Sequence, residues 1–221
     1  MSAGVDDGAV GVKICGVRDG ATLEAAAAGG AAYAGFVFFE RSPRHLGWDE
    51  AAALAAAAPP GLCKVALAVD PDDAALANLA ALPLDMIQLH GSETPARAAE
   101  IRRRLGLPVM KAVGLAAPED LAALDLWEDA ADQILVDAKP PKDGPLPGGM
   151  GVAFDWRLIA GRRWRRPWML AGGLTPETVA EAIRLTGARQ LDVSSGVESA
   201  PGVKDPARIA EFCAAARSAQ A

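Results

Sequence analysis

The feature that most restricts what this chain can become is an alternation repeated eight times. A short apolar run bounded by turn residues is followed by a stretch, usually alanine-rich, that suits a helix. The apolar runs fall at 10–15, 33–38, 63–69, 86–89, 109–113, 133–136, 168–171 and 190–193. The helical stretches fall at 22–28, 49–58, 72–82, 95–105, 118–126, 155–160, 176–185 and 205–215. Eight strand–helix units of roughly 25 to 30 residues predict a single (β/α)8 TIM barrel, an α/β fold with a parallel eight-stranded sheet. Pro95, Pro118, Pro176 and Pro206 mark expected helix starts, where the missing N–H has no helical partner to lose. A doubly wound open sheet is the rival. No Gly-x-Gly-x-x-Gly follows the first strand, which weakens its dinucleotide-binding version. The barrel is expected over 10–217, with 1–9 as a short N-terminal extension.

Composition narrows the class. With 221 residues, 51% of them hydrophobic and 23% charged, the chain can bury a large core, and one domain is simpler than two small ones. No stretch reaches the roughly 18 to 20 continuous apolar residues of a membrane span, and residues 1–11 lack the basic start and apolar core of a signal peptide. A soluble, cytoplasmic protein is expected. Cys15, Cys63 and Cys213 are an odd number at unrelated spacings, so they are expected to be free thiols, not a disulfide framework or a zinc site. A net charge of -6 argues against nucleic acid as a partner, and the basic run at 162–166 reads as a solvated face.

In such a barrel, chemistry sits just after each strand. Cys15 ends the first apolar run and Asp137 ends the sixth, so both open onto one rim, where one could remove a proton and the other give one. Gly172 and Gly173 after strand seven, and Ser194, Ser195 and Gly196 after strand eight, are small residues whose backbone N–H groups can approach a phosphate. Taken singly these loops could be plain tight turns; together, in the units where barrels commonly bind phosphate, they read as a phosphate cup.

Eight segments carry a family likeness: Lys13-Ile14-Cys15-Gly16, Gly35-Phe36-Val37-Phe38, Ser42-Pro43-Arg44, Gln88-Leu89-His90-Gly91, Leu135-Val136-Asp137, Phe154-Asp155-Trp156, Leu170-Ala171-Gly172-Gly173-Leu174 and the run 191–198. In order and spacing the chain resembles phosphoribosylanthranilate isomerase over residues 10 to 215. The resemblance implies one barrel that converts N-(5-phospho-β-D-ribosyl)anthranilate into 1-(2-carboxyphenylamino)-1-deoxyribulose 5-phosphate by an Amadori rearrangement in tryptophan biosynthesis. It implies no metal and no organic cofactor, a small-molecule substrate without membrane or nucleic acid, and a monomer or homodimer.

The resemblance assigns the base to Cys15 and the acid to Asp137, and sets Arg44 against the anthranilate carboxylate. A thiol is mostly neutral at physiological pH, so Cys15 needs a positive neighbour, and Lys13, two residues earlier on the same strand face, can supply it or can be an ion-pair partner within the barrel. Asp137 needs burial or a nearby anion to keep its proton. His90 is expected as a hydrogen-bonding wall of the pocket, Asp192 as a substrate-orienting or rim residue, and Cys63 and Cys213 as mid-strand and mid-helix packing. One departure stands out: Met150 occupies a place where many members have threonine, within the Gly- and Pro-rich loop 138–151, which suits a lid over the substrate. Two rivals are a phosphate-binding barrel without catalysis, against which intact Cys15 and Asp137 speak, and a metal-dependent sugar-phosphate epimerase, for which two histidines are too few.

Overall fold

A computed structural model of the chain describes residues 10–139 and 153–219. The expected extension at 1–9, Met150 and most of the proposed lid loop lie outside the described residues. Eight parallel strands close into a barrel in chain order: β1 (Gly11–Cys15), β2 (Tyr33–Phe38), β3 (Cys63–Ala68), β4 (Met86–Leu89), β5 (Val109–Leu115), β6 (Gln133–Ala138), β7 (Trp168–Leu170) and β8 (Gln190–Val193). Closure sets β1 against β8, with Lys13 beside Asp192 and Ile14 beside Val193. The predicted TIM barrel is therefore the fold.

Two apolar populations follow from the alternation of side chains along each strand. Val12, Ile14, Ile134, Val136, Leu191 and Val193 face outward into the main core against the helices. Val65, Met110, Leu135 and Met169 fill the barrel interior. The helices are α1 (Gly20–Ala28), α2 (Trp48–Ala57), α3 (Asp73–Ala80), α4 (Pro95–Leu105), α5 (Leu121–Ala130), α6 (Val179–Thr186) and α7 (Pro206–Ser218). Their starts are capped where the sequence supplies a short polar residue: Asp19, Asp72, Thr94 and Asp205 each accept from a backbone N–H one turn on.

Three expectations need correction. The helix expected at 155–160 is only a 3-10 turn, Trp156–Ile159, because Asp155 caps it and Gly161 leaves it in a left-handed conformation after one turn. The helix expected from Pro176 begins at Val179 instead. The Thr175 hydroxyl accepts from the N–H groups of Glu177 and Thr178, which holds Pro176 in a preceding turn. Cys63 opens β3 instead of lying mid-strand, but it packs against the barrel interior as expected, and Cys213 packs inside α7. A hairpin that the periodicity does not reveal, β9 (Glu198–Ala200) with β10 (Val203–Lys204), follows β8. The basic run at 162–166 is a largely solvated face as expected, with Arg162 and Arg165 paired to Asp125, Glu128 and Asp129 around α5.

Candidate active site

Cys15 is the last residue of β1 and is buried. Its neighbour in register on β2 is Gly35, where a Cβ would stand 3.1 Å from both the Cys15 Sγ and the Lys13 Nζ, so glycine there leaves room for the thiol and the ammonium together. Lys13 is fully buried in the barrel interior and donates to Asp192 Oδ1 at 2.8 Å. Lys13 is thus an ion-pair partner within the barrel and also a charged neighbour of Cys15. Burial works against the Lys13 charge, but Asp192 and Cys15 outweigh it and raise the ammonium pKa. The thiol does not become acidic in return. Burial pushes the Cys15 pKa above its ordinary value of 9.0, assisted by Asp192, and Lys13 and Lys204 offset this only in part. Lys13 is the positive neighbour expected beside Cys15 and does lower its pKa, but it also pairs with Asp192, and burial outweighs it.

Asp137 lies near the end of β6. Its side chain is 14% exposed, and burial raises its pKa from 3.8 to about 7. The Ala138 N–H, 2.8 Å from Oδ1, opposes that rise, while the Asp192 charge adds to it. His90 follows β4 and brings Nε2 to 3.6 Å from Asp137 Oδ2, while Gln88 lies 3.0 Å from its Nδ1. Behind β4, buried Lys111 donates to the carbonyls of Leu89 and Gly91 and pairs with Glu93 at 2.8 Å, so the loop bearing His90 is held from below.

Arg44 is buried after β2 and lies across Gly16, whose φ of 82° and missing side chain admit it; a Cβ there would meet the Arg44 Cδ at 2.7 Å. Its Nε and Nη2 donate to the two carboxylate oxygens of Glu198 at 2.7 and 2.8 Å. Lys204 donates to the same carboxylate at 2.7 Å and to the Ser194 carbonyl at 2.9 Å. Burial alone would raise the Glu198 pKa, but Arg44 and Lys204 hold it at about 2. Neither Glu198 nor Lys204 was singled out from the sequence. The available signal was an acid directly after Ser194-Ser195-Gly196-Val197, with a lysine past the turn at Pro201-Gly202.

The two small-residue loops come together as expected. Gly172 and Gly173 both have positive φ, and a Cβ at Gly196 would fall on the Leu174 carbonyl, so the loops after β7 and β8 touch backbone to backbone. Ser195–Val197 is a 3-10 turn, whose first N–H groups have no partner within the turn and are available to an anion. Ser194 ties this loop to the thiol strand through its hydroxyl and the Cys15 carbonyl, 3.1 Å apart. Cys15, Asp137, Lys13, Arg44, His90, Asp192 and both glycine-rich loops thus share the carboxyl-end rim. Among the described residues no three His, Cys, Asp or Glu side chains gather as metal ligands, and no helix is long and apolar enough to cross a membrane.

A closed parallel barrel with a buried thiol and a high-pKa carboxyl on its carboxyl-end rim defines the class: a (β/α)8-barrel enzyme. The chain belongs to the N-(5'-phosphoribosyl)anthranilate isomerase family, whose model matches residues 12–215. It is 65% identical over 207 residues to the N-(5'-phosphoribosyl)anthranilate isomerase of Cereibacter sphaeroides, covering 93% of this chain and 98% of that one. The crystal structure of phosphoribosyl anthranilate isomerase from Thermotoga maritima superposes with a TM-score of 0.82 at 34% identity, covering 95% of this chain and 99% of that one. A phosphoribosyl anthranilate isomerase in complex with reduced 1-(o-carboxyphenylamino)-1-deoxyribulose 5-phosphate is similar at a TM-score of 0.79 and 32% identity, covering 95% and 99%.

Proposed function

We propose that this chain isomerises N-(5'-phosphoribosyl)anthranilate, with Asp137 as general acid and Cys15 as general base. The observation that carries the assignment is the Asp137 carboxyl, whose pKa of about 7 lets it hold a proton at neutral pH on the rim that Cys15 shares. Asp137 donates that proton to the ribose ring oxygen; the C1–O bond breaks and the anilinic nitrogen lone pair forms a C1=N iminium. Once the iminium stands beside it, the Cys15 thiol releases its own proton to water, and the resulting thiolate takes the C2 proton; the C–H electrons become a C1=C2 bond while the nitrogen is neutralised. Loss of the enol proton and protonation at C1 give the ketone.

The remaining residues bind. Arg44 faces the anthranilate carboxylate with a planar fork suited to it. The backbone N–H groups around Gly172, Gly173, Ser194, Ser195 and Gly196 hold the phosphate. His90 and Asp192 line the pocket between these ends, and Lys13 keeps Asp192 in place. The raised Cys15 pKa fits a base that ionises only after ring opening, when the iminium brings a positive charge to the site and acidifies C2. Three free thiols suit a reducing cytoplasm.

Loss of anthranilate-ribosyl phosphate fluorescence tests the assignment. Native protein turns the substrate over, and Cys15→Ala and Asp137→Asn each lower kcat by about 10²- to 10⁴-fold. Full activity in either variant refutes the role given to that residue.

A further inference from the structure

We propose that Glu198 is a positioning residue for aromatic-acid recognition: through its bidentate grip it fixes the plane of Arg44, and so determines how tightly the site discriminates a carboxylated aryl group from a bare one. The inference deepens the proposed function and rests on Arg44 meeting the substrate carboxylate.

An arginine on a rim has several rotatable bonds, and a planar fork recognises a carboxylate only when its plane is held. Here both sides of that constraint are visible. The stem is seated against Gly16, where any side chain would collide with it. The head is held by two short bonds, Nε to Oε1 and Nη2 to Oε2, with both partners at 7% side-chain exposure or less. Glu198 is itself held in three ways: by Lys204 at 2.7 Å, by the Gly202 N–H at 3.3 Å and by its place in the β9–β10 hairpin. That hairpin is pressed against the loop carrying Arg44, because a Cβ at Gly202 would stand 2.5 Å from the Pro43 carbonyl oxygen.

The hub also reaches the other end of the substrate. Lys204 donates to the Ser194 carbonyl and hydroxyl at 2.9 and 3.2 Å, within the loop assigned to phosphate, and Ser194 reaches the Cys15 carbonyl. One carboxylate therefore sets the register between the arginine after β2 and the phosphate loop after β8. A purely structural clamp would weaken every ligand alike. A positioning residue weakens only those that carry the carboxylate.

The test uses that difference. Binding of reduced 1-(o-carboxyphenylamino)-1-deoxyribulose 5-phosphate, and of the same compound without its carboxyl group, is measured for native protein, Glu198→Gln, Arg44→Met and the double variant. Glu198→Gln is expected to weaken the carboxylated ligand about 10- to 100-fold, the range for a charge-assisted hydrogen bond, and the bare ligand less than about threefold, with no added loss of discrimination in the double variant. With substrate, the loss falls mainly on KM. Should Glu198→Gln not fold, Glu198→Asp keeps the charge but is one methylene short of spanning both nitrogens, and the same discrimination is expected of it. Equal losses for both ligands in either variant would overturn the positioning role. If Arg44→Met loses no discrimination between the two ligands, the Arg44 reading itself fails, a result distinct from the first.

Discussion

Replacing Asp137 with asparagine should make the enzyme more stable and nearly inactive, and the gain in stability should depend on pH in one direction only. Burial raises the carboxyl from 3.8 to about 7 in the folded chain, whereas the unfolded chain titrates near the ordinary value. At pH 4 and below both states are protonated, and the group contributes nothing. Between about 4 and 7 the unfolded chain releases its proton while the folded chain keeps it, so the folded state loses stability as pH rises; above 7 the loss is complete. At about 1.4 kcal/mol per pH unit the interval amounts to about 4 kcal/mol, an upper bound because the side chain retains some contact with water. Asparagine fills the same volume, can still accept from the Ala138 N–H, and has no such dependence. Urea titrations of native protein and Asp137→Asn at pH 5, 6, 7 and 8 measure the difference directly. Lys13, Asp192 and His90 face the same spot in both proteins, so the comparison isolates the carboxyl itself. The variant's advantage should be small at pH 5 and grow to a few kcal/mol at pH 8, where it corresponds to roughly 10 °C in Tm for a domain of this size. A difference that stays constant across the four pH values, or a variant less stable at pH 8 than the native protein, refutes the claim that this carboxyl is held neutral by burial.

Three further outcomes follow from the same geometry. Lys13→Met leaves the Asp192 carboxylate buried without its cation, and a loss of about 3 to 5 kcal/mol in urea unfolding is expected, partly recovered by adding Asp192→Asn. Gly196→Ala pushes a Cβ onto the Leu174 carbonyl and forces the two glycine-rich loops apart; inhibition by inorganic phosphate should weaken about tenfold or more, the scale of one or two lost hydrogen bonds. The kcat/KM profile should fall as pH rises through about 7, where Asp137 loses the proton it must donate while Cys15 is still a thiol; a profile flat from pH 6 to 10 would contradict the assignment.

The barrel was legible because every strand run is short and apolar and every helix needs only a local pattern, so eight repeats add up without any knowledge of which strands touch. The rim residues were legible for the same reason: a residue at the end of a parallel strand faces the mouth whatever its neighbours are. What escaped depends on contacts distant in sequence. Glu198 is an ordinary acid until it meets Arg44, 154 residues away, and the β9–β10 hairpin that brings it there is too short to show a period. The shortened sixth helix and the delayed start of α6 were missed because local turn chemistry at Asp155 and Thr175 overrode helix propensity. Sequence adjacency shows the lysine beside Cys15 but not that Asp192, 179 residues from Lys13, shares it, or how deeply the thiol is buried.

That last point bears on how the chemistry is ordered. Lys13, Arg44 and Lys204 surround this end of the barrel, but Asp192 and Glu198 are paired with them. With Asp137 protonated, these five side chains leave one net positive charge to meet a substrate that brings a phosphate and a carboxylate. Substrate binding therefore makes the site more negative, which favours the proton on Asp137 and disfavours a thiolate at Cys15. In the proposed mechanism the balance turns only when Asp137 has given its proton to the ring oxygen and the iminium has formed beside the thiol. On this arrangement the acid acts first because it is the group already charged with its proton, and the base is made by the intermediate that needs it.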